Sequence, residues 1–541
     1  MLPGIPLPYP FLLLSLLIPV IAAILILLTI LVGKPLGRKG AGLIASIAMA
    51  SSFIILLYVL SIVLAVGQPV YEEYYWFSIG PVIVEFSLLA DSLSLPLSLA
   101  IIGLCTASAI YSIEYIKDKH DFAMYYVLLL FFALGMLGVT MATNLIVFFI
   151  FFEGMNIPAY FLVSNWGTKK AKIIGIKYIL YIFIGAICIL TAIFWVFGIT
   201  STLGTPTLNI YELPAILNPL ASTSLLIMQS LALLFSIGFF VKMAIFPLHS
   251  WLPDFHGEAP VPIHALLSAV MIKTGAYGFI RITFFFFPSV VLHASLLLAV
   301  LAIITMIWGA GMALVQTDYK RVLAYSSVNQ IGYILLGLST MNIFGITGAL
   351  FHILTHGLSK GVLLYTAGSL VHSAGTKLIS KMGGLASKMP LTSSLSTIGA
   401  LAIAGTPPLA TFVSEVLIFM GVFTVGFTYP IFTVIGIIGV ISTALTAAYY
   451  LWTVRRIFFG PPSRKMDKMY EDYLAGEYTP PEGIPRRFKD VHESPPLMTI
   501  PMLIVAFLIV SFGVFAGFIL PILYPAAEAI VTMLTATIGG L

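Results

Sequence analysis

Charge is the scarcest property of this chain. Only 9% of its 541 residues are Asp, Glu, Lys or Arg and 60% are hydrophobic, against roughly 25% and 45–50% in an ordinary soluble domain. So few charges cannot solvate a globular surface, which excludes a soluble protein. Cysteine is nearly absent: Cys105 and Cys188 stand alone in apolar stretches, with no C-x-x-C and no His/Cys group at metal-ligand spacing. Neither an iron–sulfur cluster nor a structural zinc has ligands here. There is no G-x-G-x-x-G after a strand pattern and no G-x-x-x-x-G-K-[ST], so nucleotide phosphates have no cradle. Redox or nucleotide chemistry, if it drives the protein, belongs to another chain. The first ten residues lack Lys and Arg, so no cleaved signal peptide is expected.

What the chain has in abundance is apolar runs long enough to cross a hydrocarbon core about 30 Å thick. They fall near 11–32, 41–66, 92–114, 124–142, 144–163, 173–198, 225–248, 261–284, 288–315, 322–340, 344–372, 394–424, 429–454 and 497–524. The expected fold is all-α and polytopic, with 14 transmembrane helices. Of the 26 Lys and Arg residues, 21 fall in alternate loops. The opposite loops, such as 67–80, 200–224 and the tail from Tyr524, hold none. Basic residues gather on the cytoplasmic side, so both termini are expected outside a cell membrane. The net charge of +5 is this loop excess, which implies a membrane surface and not nucleic acid.

Five basic residues remain inside apolar segments: Lys177, Lys242, Lys273, Arg281 and Lys360. Lys177 and Arg281 lie near span ends and are expected to snorkel to an interface. Lys273 and Lys360 are roughly 18 Å from water at 1.5 Å per residue, farther than a lysine reaches. Lys242 precedes the polar stretch Pro247-Leu-His-Ser-Trp-Leu-Pro-Asp-Phe-His256, a helix break beside hydrated interior. Glu153 and Glu415 match these lysines in depth. Each central charge opposes insertion by about 2.5–3.5 kcal/mol unless paired or wetted. Structural ion pairs would satisfy them, but a titrating relay fits carboxylates and lysines of marginal charge better.

His352, His356 and Lys360 follow at i, i+4 and i+8, one above another on a single helical face. Imidazole passes protons between its two nitrogens, so the face suits a proton wire. Two core histidines bonded to backbone carbonyls are the plainer alternative. His264, after Pro260 and Pro262, is a weaker instance of the same kind. A second break, Gly405-Thr-Pro-Pro408, precedes Glu415. Transporters use such breaks at ion sites, and paired breaks suggest two related halves.

The stretch Lys242-Met-Ala-Ile-Phe-Pro-Leu-His-Ser-Trp-Leu-Pro-Asp-Phe-His256, the run Ala-Pro-Val-Pro-Ile-His-Ala-Leu-Leu-Ser-Ala-Val-Met-Ile-Lys273-Thr-Gly, and Asp318-Tyr-Lys-Arg-Val-Leu-Ala-Tyr-Ser-Ser327 resemble one family. It is that of the antiporter-like subunits of complex I, the Mrp cation/proton antiporters and the membrane-bound hydrogenases and formate hydrogenlyases. The resemblance runs from about Asp91 to Pro496. It implies helices 1–3 over 1–120, inverted repeats with broken helices over 121–285 and 286–460, a cytoplasmic loop over 461–496, and a last helix and tail over 497–541. It also implies a relay. Glu153 would be the carboxylate of the fifth helix, Lys242 its partner and Lys273 the central lysine. His352, His356 and Lys360 would connect Lys273 to Glu415 on the exit side. A glutamate at 415, where several branches place lysine, resembles the hydrogenase branch and one complex I subunit more than the cation antiporters.

The function implied is proton translocation within a redox-driven respiratory complex, hydrogenase-like or quinone-reducing. Iron–sulfur clusters, with nickel–iron or flavin, would lie in partner subunits, and this chain would hold no cofactor or metal. A large subunit of an Mrp-type Na⁺/H⁺ antiporter is the alternative, and a structural subunit with vestigial charges a third. The hydrophilic stretch Gly460–Ser494 is expected either to dock a neighbouring subunit or to serve as a solvated connector.

Overall fold

Backbone groups in hydrocarbon have no water to bond, so a chain this apolar must satisfy them within helices. The computed structural model describes residues 4–79, 82–480, 482 and 484–539. The helices are α1 (Phe11–Leu31), α2 (Arg38–Val66), α3 (Ser94–Tyr115), α4 (Phe122–Met141), α5 (Leu145–Trp166), α6 (Ala171–Thr202) and α7 (Leu225–Met243). A short α8 (Trp251–Glu258) follows, then α9 (Val261–Phe284), α10 (Ser295–Leu314) and α11 (Tyr319–Ser339). The 32-residue α12 (Ile343–Ala374) and the short α13 (Pro390–Ile403) precede α14 (Ala410–Thr428) and α15 (Pro430–Phe459). Last come α16 (Arg464–Leu474), α17 (Pro496–Val514) and α18 (Ala516–Gly539).

Among the described residues 14 helices are long and apolar enough to cross a membrane. The protein is thus an all-α, multi-pass membrane protein. All but one of the expected spans have a counterpart among the 14; the eleventh is α12, whose two histidines and lysine lower its hydropathy. The expected twelfth span divides at the Gly405–Pro408 break into α13 and α14. The expected fourteenth corresponds to α17, but the tail is not a tail: Ala516–Gly539 forms a separate helix containing Pro521 and Pro525. Those prolines read as breakers in the sequence.

The segment expected as the loop 67–80 is also structured. Strands β1 (Val70–Ile79) and β2 (Val82–Ala90) pair antiparallel, Val70 opposite Ala90, with a bulge between Tyr75 and Phe77. Glu72 of β1 accepts the backbone N–H groups of Leu12 and Leu13 at 2.8 and 2.9 Å. The carboxylate meets the positive end of α1 and satisfies two of its orphan donors. Elsewhere Asn144 caps α5, Asp318 caps α11 and Asn342 caps α12, as their short polar side chains favour.

Burial sorts the helices by role. The membrane-length windows of α2 and α15 are 33% buried, leaving Leu and Ile faces for lipid or neighbours, whereas α9 is 100% and α11 94% buried. Helix α12 packs against α11, α13, α14 and α17. Of the innermost helices, α9 carries Lys273, α12 carries His352, His356 and Lys360, and α11 supplies hydrogen-bond partners to His352 and Lys360.

Candidate functional site

The first group forms where α5 and α7 meet. Glu153 lies two residues before the irregularity at Met155, and its Oε2 accepts from the Asn156 amide at 3.2 Å. Lys242, 1% exposed, donates to the Asn156 Oδ1, which also receives Tyr178 O–H at 2.8 Å. The lysine ammonium stands 5.4 Å from the centroid of the Phe152 ring. The Lys242 bond is therefore to a neutral side chain, and the chain of contacts to Glu153 passes through Asn156. The resemblance implied that Lys242 is the partner of Glu153. Lys242 is the penultimate residue of α7, followed by Ala244 in the left-handed region at φ 59°, so its helix stops beside its own ammonium.

Lys273 lies deep in α9, wholly buried, immediately after a π-helical turn at Leu267–Met271. Its ammonium donates to the Ser268 carbonyl within that turn. π-Turns widen a helix and recur at functional positions. The Ser268 hydroxyl meets that of Ser327 on α11 at 2.6 Å. Lys273 is close enough to His352, His356 and Lys360 for its charge to act on each.

The face predicted on α12 is present. The His352 and His356 rings stack at 5.9 Å. His352 Nδ1 lies 2.9 Å from the Ser414 hydroxyl on α14, and Nε2 lies 2.9 Å from the Gln330 amide oxygen on α11. Neither ring nitrogen of His356 has a hydrogen-bond partner among the described residues. One turn on, Lys360 donates to the Leu323 carbonyl at 2.6 Å, to Ser326 and to Tyr450 O–H at 3.0 Å. Every acceptor is neutral.

Glu415 stands apart from the cations. It is 4% exposed and its Oε1 has no hydrogen-bond partner among the described residues. Its other oxygen lies against the backbone at Gly405, where a Cβ would stand 2.4 Å away, and Gly405 has φ +68°. Only glycine fits both the turn and the approach. Ser414, the neighbour of Glu415, is the group that reaches His352. The structure thus brings Glu153 near Lys242 and gathers Lys273, His352, His356 and Lys360; Glu415 joins the second group only through its sequence neighbour.

Of the two residues expected to snorkel, Arg281 does otherwise, while the Lys177 side chain keeps 37% exposure. Arg281 is buried, 4% exposed, and grips both Asp91 oxygens at 2.8 and 2.6 Å among Tyr211, Tyr277 and Phe285. Lys177 pairs with Asp254 at 2.8 Å. Around Arg281, aromatic walls and a carboxylate leave neither lipid nor water for the head. Sequence reasoning missed Asn156, Gln330, Ser326 and Tyr450, the neutral partners. Asn156 had a signal, since Glu153 and Asn156 stand at i, i+3 on one helical face. Among the described residues no three of His, Cys, Asp and Glu converge as a metal ion requires.

Comparison with known proteins places this arrangement. Residues 142–446 match the family described as NADH:quinone oxidoreductase/Mrp antiporter, TM, and residues 76–126 match NADH-ubiquinone oxidoreductase (complex I), chain 5 N-terminus. The NAD(P)H-quinone oxidoreductase chain 4 3 of Trichormus variabilis is 34% identical over 399 residues, 73% of this chain and 71% of that one. Chain 4-3 of Nostoc is 36% identical over 393 residues, covering 72% and 67%. A chain of respiratory complex I from Thermus thermophilus superposes with a TM-score of 0.81 at 25% identity, over 97% of this chain and 99% of that one. A chain of the archaeal membrane-bound sulfane sulfur reductase gives 0.76 at 27% identity, over 93% and 75%. A chain of the Mrp complex of Dietzia, 24% identical, shares the fold with a TM-score of 0.78, over 96% of this chain and 51% of that one.

Proposed function

The chain belongs to the NADH:quinone oxidoreductase/Mrp antiporter membrane family, and on that footing we propose that it carries protons across a cell membrane as one subunit of a redox-driven respiratory complex. The observation that carries this reading is the environment of Lys273 and Lys360: both are wholly buried and bonded only to neutral acceptors. A buried ammonium without a counter-ion is held marginally, because desolvation opposes its charge and no carboxylate restores it. Such a group gives up and regains a proton readily, as structural ion pairs do not.

The working parts follow from position. Glu153 and Lys242 form the coupling end: a change in neighbouring charge shifts the balance across Asn156, and the altered field of Lys242 acts on Lys273. Protons enter from the basic-rich side, taken as cytoplasmic, reach Lys273 and Lys360, pass the stacked His356 and His352, and leave through Glu415, whose neighbour Ser414 meets His352. His356 and Glu415 keep polar atoms without protein partners, which water would bridge in a conducting site. The breaks after Lys242 and before Glu415 sit in corresponding places of two halves, 121–285 and 286–460, and support the view that these are related by inversion.

Electron carriers, iron–sulfur clusters with flavin or nickel–iron, belong to partner subunits. The quinone-reducing kind of complex is favoured, since relatives that match at 34–36% identity bear the name NAD(P)H-quinone oxidoreductase chain 4. The test is mass spectrometry of everything that copurifies with the chain from native membranes in mild detergent. Quinone-reductase and iron–sulfur subunits are expected. Small antiporter subunits alone, with Na⁺-dependent transport, would overturn this reading.

A further inference from the structure

The hydrophilic stretch between α15 and α17 does more than connect them. Lys320, at the start of α11, is wholly buried, and its ammonium donates to Glu482 Oε2 at 2.8 Å and to the Ala259 carbonyl at 2.6 Å. The second Glu482 oxygen accepts Tyr115 O–H from α3 at 3.0 Å. The Glu482 side chain keeps 12% exposure where that of Lys320 has none, so it is the carboxylate that water reaches. The same segment lies on the end of α12: a Cβ at Gly375, φ +67°, would stand 2.0 Å from the Ile484 carbonyl. Lys377 flanks the pair, bound to Asp318 at 2.9 Å and within 3.8 Å of Glu258.

Beside the backbone that holds Lys320 are two histidines that the relay has not used. Ala259, whose carbonyl holds Lys320, links α8 to α9. His256 on α8 and His264 on α9 are both wholly buried, their rings 5.0 Å apart. None of their four ring nitrogens has a hydrogen-bond partner among the described residues. Buried polar atoms are nearly always bonded, so two neighbouring imidazoles without partners mark a place for water or for a travelling proton. They stand within electrostatic reach of Lys320 on one side and of Lys273 and Lys360 on the other.

We infer that Glu482 is the proton-admitting residue of the basic-rich face: paired with Lys320 it closes the entrance above His264 and His256, and protonated it lets that entrance open. This rests on the relay reading of Lys273. The groups facing Glu482 are Lys320 from α11, Tyr115 from α3, and Lys377 with Asp318 and Glu258. The step balances simply. Glu482 takes a proton from bulk water, and the neutral acid no longer holds the ammonium. The contact opens, water that enters gives a proton to the histidine pair, and Glu482 returns its own proton to bulk water and closes again on Lys320 as the carboxylate.

The test uses the assembled complex in inverted membrane vesicles, in a Cys105→Ser, Cys188→Ser background with His264→Cys as reporter. A small charged methanethiosulfonate is added to the exposed face at neutral pH, and the labelling rate is read by mass spectrometry. Glu482→Ala and Glu482→Gln are each expected to speed labelling at least tenfold. Equal rates with and without these substitutions would overturn the entrance. If His264→Cys does not assemble, His256→Cys serves with the same two outcomes. Pumping by Lys273→Met, measured separately, distinguishes the failures. Normal pumping there removes the relay, whereas unmoved labelling beside a silent Lys273→Met removes only the role of Glu482.

Discussion

Lys242 and Glu153 are joined through Asn156, whose amide oxygen receives the ammonium while its nitrogen donates to the carboxylate. A neutral amide between two opposite charges transmits their interaction without locking it, because neither charge is committed to a direct contact. Hydrogen bonds to charged groups contribute about 1.5–3 kcal/mol. Asn156→Leu is therefore expected to lower protons moved per electron while the complex still assembles, measured by gradient formation in proteoliposomes. Unchanged stoichiometry would remove Asn156 from the coupling.

The Arg281 and Asp91 pair has the opposite character. It is direct, bidentate and surrounded by aromatic rings, so removing one partner strands a buried charge at a cost of about 3–5 kcal/mol. Asp91→Asn is expected to lower the thermal stability and the amount of assembled complex, leaving the proton-to-electron ratio of the surviving fraction intact. A lowered ratio at full assembly would make this pair part of the relay.

Gly405 is needed for two independent reasons, its left-handed backbone and the Glu415 oxygen beside it. The left-handed conformation costs a residue with a Cβ roughly 1–2 kcal/mol, and the methyl group must also displace the carboxylate. Gly405→Ala is expected to impair proton exit about as strongly as Glu415→Gln, read as proton release on the outer side. Wild-type release from Gly405→Ala would show that the position of Glu415 is not critical.

The docking of the 461–496 segment should depend on pH in both directions. Burial raises the Glu482 carboxyl, but Lys320 and Lys377 outweigh it and hold the group below the usual carboxylate range. A depressed acid stabilises the folded form above its unfolded value, and that contribution is lost as pH falls through the folded value. For Lys377 burial opposes the charge, yet Asp318, Glu482 and Glu258 raise it above the ordinary lysine value. Its contribution is present below the unfolded value and lost as pH rises through the folded one. Proteolysis of the segment should be slowest between the two limits and accelerate beyond each; a flat profile would contradict this.

Periodicity and hydropathy made the fold legible because lipid demands long apolar helices; depth singled out Glu153, Lys273, Lys360 and Glu415, and the helix break after it singled out Lys242. The i, i+4, i+8 spacing placed His352, His356 and Lys360 on one face, as found. What lay outside the sequence were the partners. Arg281 looked free to snorkel because Asp91 is 190 residues away. Glu482 gave no sign that it would reach Lys320, 162 residues earlier. The hairpin hid behind Glu-Glu-Tyr-Tyr, which blurs the strand alternation, although Glu72 points inward to cap α1. Long-range polar contacts are set by tertiary packing, and no local pattern encodes them.

The relay is tested most directly by Lys273→Met in the intact complex, with electron transfer and proton translocation measured together in sealed vesicles. The account predicts that the complex assembles and still transfers electrons while the protons moved per electron fall. Full stoichiometry from Lys273→Met would contradict it.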